Sequence, residues 1–489
     1  METAQSKGTT HAQSPATTES TGASQLKETI QSTSTGTIQS TTTTQSTGAT
    51  QSTTDNQSTE ATQSRGSSQA SENIHSSLSG HAAAAATDDL DTQVSLNLLH
   101  VELTTPAVKQ DKARQLDLYC QIGDLYRTKL HLLQSALKYY QKMLACSQAL
   151  SEDMKQAEAY SRMGLTYATL GLPKEASENY ERALSIFKST GNETATCAAY
   201  KNLASSLALS GKLSDAKTHY ESALASATET GNKTEQMDIN SKLGDLHMEQ
   251  LDEPHISQKY YTDMLALAID LGRKDKEGNA YNRLGLACGD MQDNKSALKW
   301  HRKDLKMSQK DDGDKKAQIA AHTNVGNAYS LLGKQGQATS HFDTALEMAK
   351  QTGDQHGQMD VYIKMGEMHR EQLHSPHTSI QYYEQYLALA RQLMDRHQEA
   401  LAYNRLGLTH NEMGEYEAAL KWYEKALKIQ EDDADKTGQM IQHTNVGDTY
   451  RLLGQLDQAR SHYQSAMNIA KETDNEQELR NIANELTSL

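Results

Sequence analysis

The sequence predicts an all-α solenoid of antiparallel helix hairpins that follows a disordered tail. Three observations lead to this fold class. A short motif recurs at a nearly constant interval, each copy combines a small residue with aromatic residues at helical spacing, and the composition changes abruptly before the first copy. Self-similarity at such a period is typical of repeat architectures, in which each unit packs only on its neighbours.

The motif is eight residues long, and its fifth position is glycine or, once, alanine. It reads YCQIGDLY at Tyr119, YNRLGLAC at Tyr281 and HTNVGDTY at His443. Successive copies lie 40 or 41 residues apart. The fifth positions, called the anchors below, are Gly123, Gly164, Ala204, Gly244, Gly285, Gly326, Gly366, Gly407 and Gly447. Nine helix hairpins are therefore predicted over residues 111–475.

Each anchor has large and small residues at fixed distances. Around Gly164 they are Tyr160, Met163, Tyr167, Gly171, Ala176, Tyr180 and Ala183. Small side chains allow two helices to cross closely, and aromatic rings one turn away fill the space between hairpins. The arrangement resembles the tetratricopeptide repeat over residues 110–489. This resemblance implies a right-handed superhelix whose first helices line a concave groove, which in the family takes an extended or helical segment of a partner.

A longer period is superimposed on the hairpins. The motifs at Gly123, Gly244 and Gly366 resemble one another and share one extra residue in the hairpin turn, so the array is predicted to consist of three blocks of three hairpins. The repeat of about 40 residues resembles that of the Pins/LGN group of G-protein modulators and related large arrays. The common tetratricopeptide unit has 34 residues, and the roughly six additional residues of this repeat are expected in the second helix of each hairpin.

The two ends of the chain differ from the array. Residues 1–87 are rich in Ser, Thr and Gln with almost no large apolar side chains, so they cannot offset the entropy of ordering and are predicted to be disordered. Residues 88–110 are interpreted as a linker with room for one helix. Residues 476–489 carry Leu479, Ile482 and Leu486 at helical spacing, which predicts a capping helix over the exposed end of the core.

Composition excludes several classes of function. The net charge is −15 and the pI about 5.7, which argues against binding to nucleic acid or an anionic membrane. No apolar run is long enough for a bilayer or a signal peptide, so a cytoplasmic location is expected. The four cysteines show no paired spacing, which predicts free thiols. We expect no cofactor or enzymatic activity, because no nucleophile with a base, phosphate loop or acid pair stands out. No metal is expected either, because the cysteines lack ligand-like spacing and most histidines of the motif fall at packing positions.

The predicted groove residues come mainly from the position two before each anchor, called the ladder below. This position reads Gln121, Arg162, Asn202, Lys242, Arg283, Asn324, Lys364, Arg405 and Asn445. Asn can satisfy a peptide N–H and C=O together, and Arg can hold a carboxylate with two hydrogen bonds. The predicted site consists of the ladder from Arg162 to Asn445 together with Asn327, one after its anchor. The alternative is a duplicated solvent-facing surface that carries duplicated polar residues.

The sequence favours a scaffold that binds a peptide segment or helix of a partner protein in the groove. The alternative is a structural spacer or self-associating assembly protein that uses the convex face. A carboxylate clamp of the chaperone-binding type is not expected, because Lys364 follows Asn327 where an Asn is needed. His247, His369 and His410, three after their anchors, and His322 and His443, four before, are interpreted as packing substitutes for aromatic residues.

Overall fold

A computed structural model describes residues 91–310, 314–473 and 475–489. The tail predicted to be disordered, 1–87, lies outside the described residues. Two helices precede the array, α1 (91–104) and α2 (Pro106–Gln110). The first helices of the nine hairpins are α3 (Lys112–Thr128), α5 (Asp153–Thr169), α7 (Glu193–Leu209), α9 (Lys233–Glu249), α11 (Lys274–Asp290), α13 (Lys315–Leu331), α15 (Gln355–Glu367), α17 (Arg396–Glu412) and α19 (Lys436–Leu452).

The second helices alternate with the first along the chain. They are α4 (Leu133–Leu150), α6 (Pro173–Ser189), α8 (Leu213–Glu229), α10 (Pro254–Asp270), α12 (Asn294–Ser308), α14 (Gln335–Thr352), α16 (Pro376–Gln392), α18 (Tyr416–Asp432) and α20 (Leu456–Glu472). The chain closes with α21 (Glu476–Ser488). Each helix packs on the helices before and after it. The all-α solenoid of antiparallel hairpins is thereby confirmed.

The anchors lie where the two helices of a hairpin cross. A Cβ atom built on Gly326 would stand 2.7 Å from Cε1 of Phe342, and one on Gly123 would stand 2.6 Å from Cε1 of Tyr140. Both distances are too short for a real side chain, so the missing Cβ lets the buried ring lie directly on the facing backbone. At Gly285 the ring is that of His301, which occupies the position of Tyr140 and Phe342.

The turns between hairpins use glycine and a capping side chain. Gly191, Gly231, Gly272 and Gly353 have φ between 64° and 69°, a conformation that ends a helix without a Cβ penalty. After three of them the next residue caps the following helix with its side chain; the Asn192 side chain, for example, accepts a hydrogen bond from the Ala195 N–H at 3.0 Å. Arg273, which follows Gly272, makes no such bond.

Helix length and turn length vary in a regular way. The first and second helices of a hairpin are similar in length, with 17 residues in both α5 and α6 and with 17 and 15 in α11 and α12. The extra length of the repeat is therefore shared and not confined to the second helix as expected. The extra turn residue in the first hairpin of each block is present, and His131 and Asp252 adopt positive φ there. In the third block a π-helical segment, Met368–Gln372, continues α15.

Helices also cover both ends of the array. On α1, Leu96 is 3% exposed, and Nε2 of His100 lies 2.7 Å from the Tyr139 hydroxyl. At the other end, α21 places Ile482 against the cluster that contains Tyr463 and Ile469, and leaves that side chain 1% exposed. These contacts bury apolar surface that the terminal hairpins would otherwise expose to water.

Candidate partner-binding surface

The first helices form the inner side of the array. First helices of consecutive hairpins pack directly on one another, as α5 does on α7 and α13 does on α15. Second helices of consecutive hairpins pack on one another less closely. Elements on the inside of a curved stack lie nearer to one another than those on the outside. We call the solvent-facing side of the first helices the inner face.

Eight of the nine predicted site residues are half-buried on this face, and Lys242 is exposed. The half-buried residues are Arg162, Asn202, Arg283, Asn324, Asn327, Lys364, Arg405 and Asn445. Partial burial follows from the packing, since the position two before an anchor lies between one first helix and the next. Ladder side chains can therefore reach the preceding hairpin as well as solvent.

The three ladder arginines are paired with carboxylates of the preceding hairpin. Nη1 of Arg162 lies 2.5 and 2.6 Å from the two carboxylate oxygens of Asp124. Arg283 pairs in the same way with Asp245. Nη2 of Arg405 lies 3.0 Å from Oε1 of Glu367. Each acid stands one residue after its anchor, so the same bridge recurs once in every block.

A tyrosine completes the bridge in the first two blocks. The hydroxyl of Tyr140 donates to Asp124 at 2.7 Å, and that of Tyr261 donates to Asp245 at 3.0 Å. Both tyrosines are the rings that lie on the anchors, so the hairpin crossing and the contact between hairpins share one carboxylate. The arginine charge is compensated within the protein and is not free to hold a partner's carboxylate.

The third bridge is the most enclosed. The side chains of Arg405 and Glu367 are 12% and 10% exposed, and Nζ of Lys364 lies 2.9 Å from Oε2 of the same glutamate. Burial by itself raises the pKa of Glu367, but the cations of Lys364, Arg405 and Arg370 outweigh it and hold the pKa below its usual value. The carboxylate is therefore ionised at neutral pH.

The ladder asparagines form a second kind of link. Nδ2 of Asn324 donates to Oδ1 of Asn282 at 2.9 Å, and Nδ2 of Asn445 donates to Oδ1 of Asn404 at 3.0 Å. Both bonds join the second and third hairpins of a block. Within the described residues, Lys242 is the ladder cation for which no ion pair is formed, so its charge faces solvent.

The inner face also carries exposed leucines that the predicted site did not include. Leu165 and Leu286, one after their anchors, are 42% and 39% exposed. Five after their anchors, one helical turn further along, Leu209, Leu331 and Leu452 are 44–69% exposed. Reading the position five after each anchor would have found this second set. The inner face therefore alternates neutralised bridges with apolar patches.

The remaining predictions concern thiols, metals and membranes. All four cysteines are free; Cys146, Cys197 and Cys288 are buried and Cys120 is half-buried. Among the described residues, no three His, Cys, Asp or Glu side chains converge to hold a metal ion. His247 is buried and lies 2.6 Å from a carboxylate oxygen of Glu253, consistent with a packing role. No helix in the described part of the chain is both long and apolar enough to cross a bilayer.

Comparison with known families supports the repeat assignment. A family model of the tetratricopeptide repeat matches residues 114–189, 155–229, 276–351 and 357–432, which together make up more than half of the chain. A second model of the same repeat matches residues 443–473. The search of curated proteins finds no significant match.

The comparison with solved structures finds similar chains at low sequence identity. The apo form of RapI is 13% identical with a TM-score of 0.51, covering 74% of this chain and 98% of that one. The apo quorum sensor NprR from B. thuringiensis is 14% identical with a TM-score of 0.47, covering 74% and 99%. A signal transduction ATPase from Pyrococcus horikoshii with a tetratricopeptide repeat sensor is 15% identical with a TM-score of 0.46, covering 76% and 55%.

Proposed function

Because this chain belongs to the tetratricopeptide repeat family, we propose that it is a non-catalytic cytoplasmic scaffold that binds a segment of a partner protein along its inner face. The observation that carries the proposal is the row of half-buried polar side chains and exposed leucines on successive first helices. Proteins bind extended or helical segments on surfaces that combine apolar pockets with amide groups. Neither nucleic acid nor a membrane is proposed as a partner.

The internal bridges change which residues would recognise the partner. Arg162, Arg283 and Arg405 are already paired, so their role is to hold consecutive first helices at a fixed spacing. Recognition would then rest on Lys242, on the amide groups of Asn202 and Asn327, and on the exposed leucines. We propose an amphipathic partner segment whose apolar side chains cover Leu165 and Leu286.

Site-specific photo-crosslinking tests the proposal. One chain carries the crosslinking residue at Leu286 on the inner face, and the control chain carries it at Lys306, exposed on second helix α12. Irradiation in cells that express the protein should link a partner to the first chain and not to the control. Leu165→Asp together with Leu286→Asp should abolish the product, whereas Lys306→Glu should leave it unchanged. Equal crosslinking at both positions would contradict the proposal.

The alternative function, self-association through the convex face, predicts a different result. Light scattering of the purified chain should give the monomer mass at all concentrations if the inner face serves another protein. A mass that doubles with concentration, together with crosslinks between two copies from Lys306, would support the structural role instead.

A further inference from the structure

Two histidine pairs stand at equivalent places in the second and third blocks. Nδ1 of His322 lies 3.0 Å from Nδ1 of His341, and Nδ1 of His443 lies 3.1 Å from Nδ1 of His462. In each pair one ring comes from the first helix, four before the anchor, and the other from the second helix of the same hairpin. All four side chains are half-buried, so an ion and its water ligands can reach them.

We propose that these pairs are two binding sites for a divalent transition-metal ion, each held by two Nδ1 atoms with water completing the coordination shell. The proposal is independent of partner binding on the inner face. It revises the sequence-based expectation that the protein holds no metal, which considered only the place of each histidine in the repeat.

The spacing of the nitrogens suits two ligands of one ion. Nitrogen ligands bind first-row metals at about 2.0–2.1 Å, so two of them at a right angle lie about 3.0 Å apart and at a tetrahedral angle about 3.4 Å apart. The observed 3.0 and 3.1 Å match the right angle. Square-planar and tetragonal coordination by nitrogen and oxygen is typical of Ni²⁺ and Cu²⁺, which therefore fit better than tetrahedral Zn²⁺.

The surroundings keep the rings in place and neutral. His341 stacks on Tyr329 with ring centroids 5.6 Å apart, and His462 stacks on Tyr450 at 5.5 Å. Burial lowers the pKa of all four histidines, that of His443 to about 4, so the nitrogen lone pairs stay available at neutral pH. When both rings carry their proton on Nε2, each Nδ1 has a lone pair and can serve as a metal ligand.

The charges around the two sites differ. Burial is the main cause that lowers the pKa of both His341 and His462. The Arg302 guanidinium lowers the pKa of His341 further, whereas the Glu424 carboxylate opposes part of the decrease at His462. A cation near the first pair opposes metal binding, and an anion near the second favours it. The pair in the third block should therefore bind the ion more tightly.

The first block provides a control within the same chain. There the equivalent residues are Tyr200 and His219, with ring centroids 5.7 Å apart. Nδ1 of His219 is buried and has no hydrogen-bond partner within the described residues. Tyr200→His should therefore create a third pair. The reverse changes, His322→Tyr and His443→Tyr, introduce the tyrosine that the first block carries at the same position.

Isothermal titration of the tag-free full chain with NiCl2 tests the proposal, with circular dichroism to verify the fold of each variant. The H322Y/H443Y variant measures binding to all other histidines. We expect the parent chain to bind two ions more than this variant, and Y200H to bind three ions more. H322Y should keep one site of severalfold higher affinity than the site left in H443Y. Identical stoichiometry in the parent, H322Y/H443Y and Y200H would overturn the proposal and leave the pairs as hydrogen bonds.

Discussion

At the scale of single residues, the fifth hairpin departs from the packing of its equivalents. His301 and Asp304 stand where the second hairpin has Tyr180 and Ala183. His301 is 4% exposed and its Nδ1 has no partner, and no hydrogen bond or ion pair reaches the half-buried Asp304 within the described residues. Gly278 on the facing helix leaves room for this carboxylate, which would lie 3.5 Å from an added Cβ.

Asp304→Ala should therefore stabilise the protein, and more so at high pH. Burial raises the pKa of Asp304 to about 7, whereas an unfolded Asp ionises near 3.9. Between these values the folded state binds more protons, so its stability falls as pH rises through 7. Burial lowers the pKa of His301 to about 4. Above about pH 6.5 this ring is neutral in both the folded and the unfolded chain, so it adds no pH dependence there.

Urea unfolding of the parent and D304A at pH 5 and pH 8 measures the effect. We expect a gain of roughly 1–3 kcal/mol at pH 8, reduced from the full shift because the side chain is partly solvated, and a smaller gain at pH 5. Ala426→Asp, at the equivalent place in the eighth hairpin, should cost a similar amount. A gain that does not depend on pH would show that volume, and not ionisation, explains the change.

At the scale of helices, the hairpin crossing is the contact most readily predicted from sequence. Anchor and ring lie within one hairpin, 16 residues apart for Gly326 and Phe342, so a short turn between two antiparallel helices is enough to bring them together. The pairing of Arg162 with Asp124 is different, because it depends on how far one first helix slides along the next. The motif does not encode that offset, so the sequence predicts the ladder arginines as groove residues and not as members of internal ion pairs.

Gly326→Leu tests the crossing. The added side chain would displace the ring of Phe342, which is fully buried, and should cost roughly 1–3 kcal/mol or more by overpacking. Gly336→Ala in the same hairpin is the control, because its Cβ meets nothing within 4 Å and alanine favours a helix over glycine by about 1 kcal/mol. Thermal melting should move down for the first variant and slightly up for the second. Equal melting temperatures would contradict the packing described here.

At the scale of the whole array, the hairpins and their anchors could be predicted from the sequence, whereas the histidine pairs could not. The number of hairpins and the anchors follow from local patterns repeated nine times, so each copy supports the others. The histidine pairs do not follow from the motif, because it contains only one member of each pair, His322 or His443. The other members, His341 and His462, lie in the second helix, fifteen residues after the anchor.

The period also predicts that a block can be removed. Deleting 233–354 joins Asn232 to Gln355 and lets this asparagine cap α15 in place of Asp354, which occupies the same position. The junction loses the Lys201–Glu235 ion pair, a contribution of at most about 1 kcal/mol. The shortened chain should keep its helicity per residue, with a denaturant m-value of about two thirds of the parent's.

Circular dichroism during urea unfolding checks this outcome. Deleting 233–334 is the control, because it places second helix α14 directly after second helix α8 and breaks the alternation of helices. That variant should lose helicity or aggregate. If both deletions behave alike, the junction between the first and second blocks is not equivalent to that between the second and third blocks, and the prediction is wrong.

The bridges between first helices give the array a mechanical character. Arg162–Asp124, Arg283–Asp245 and Arg405–Glu367 each tie a hairpin to its immediate neighbour. Tension applied to the two ends would separate neighbouring hairpins, so it must break each of these bridges as well as the apolar packing between hairpins. Because the bridges lie on the inner side, they resist the opening of that side. A partner bound across several hairpins would add contacts on the same side and reduce how far the array can extend.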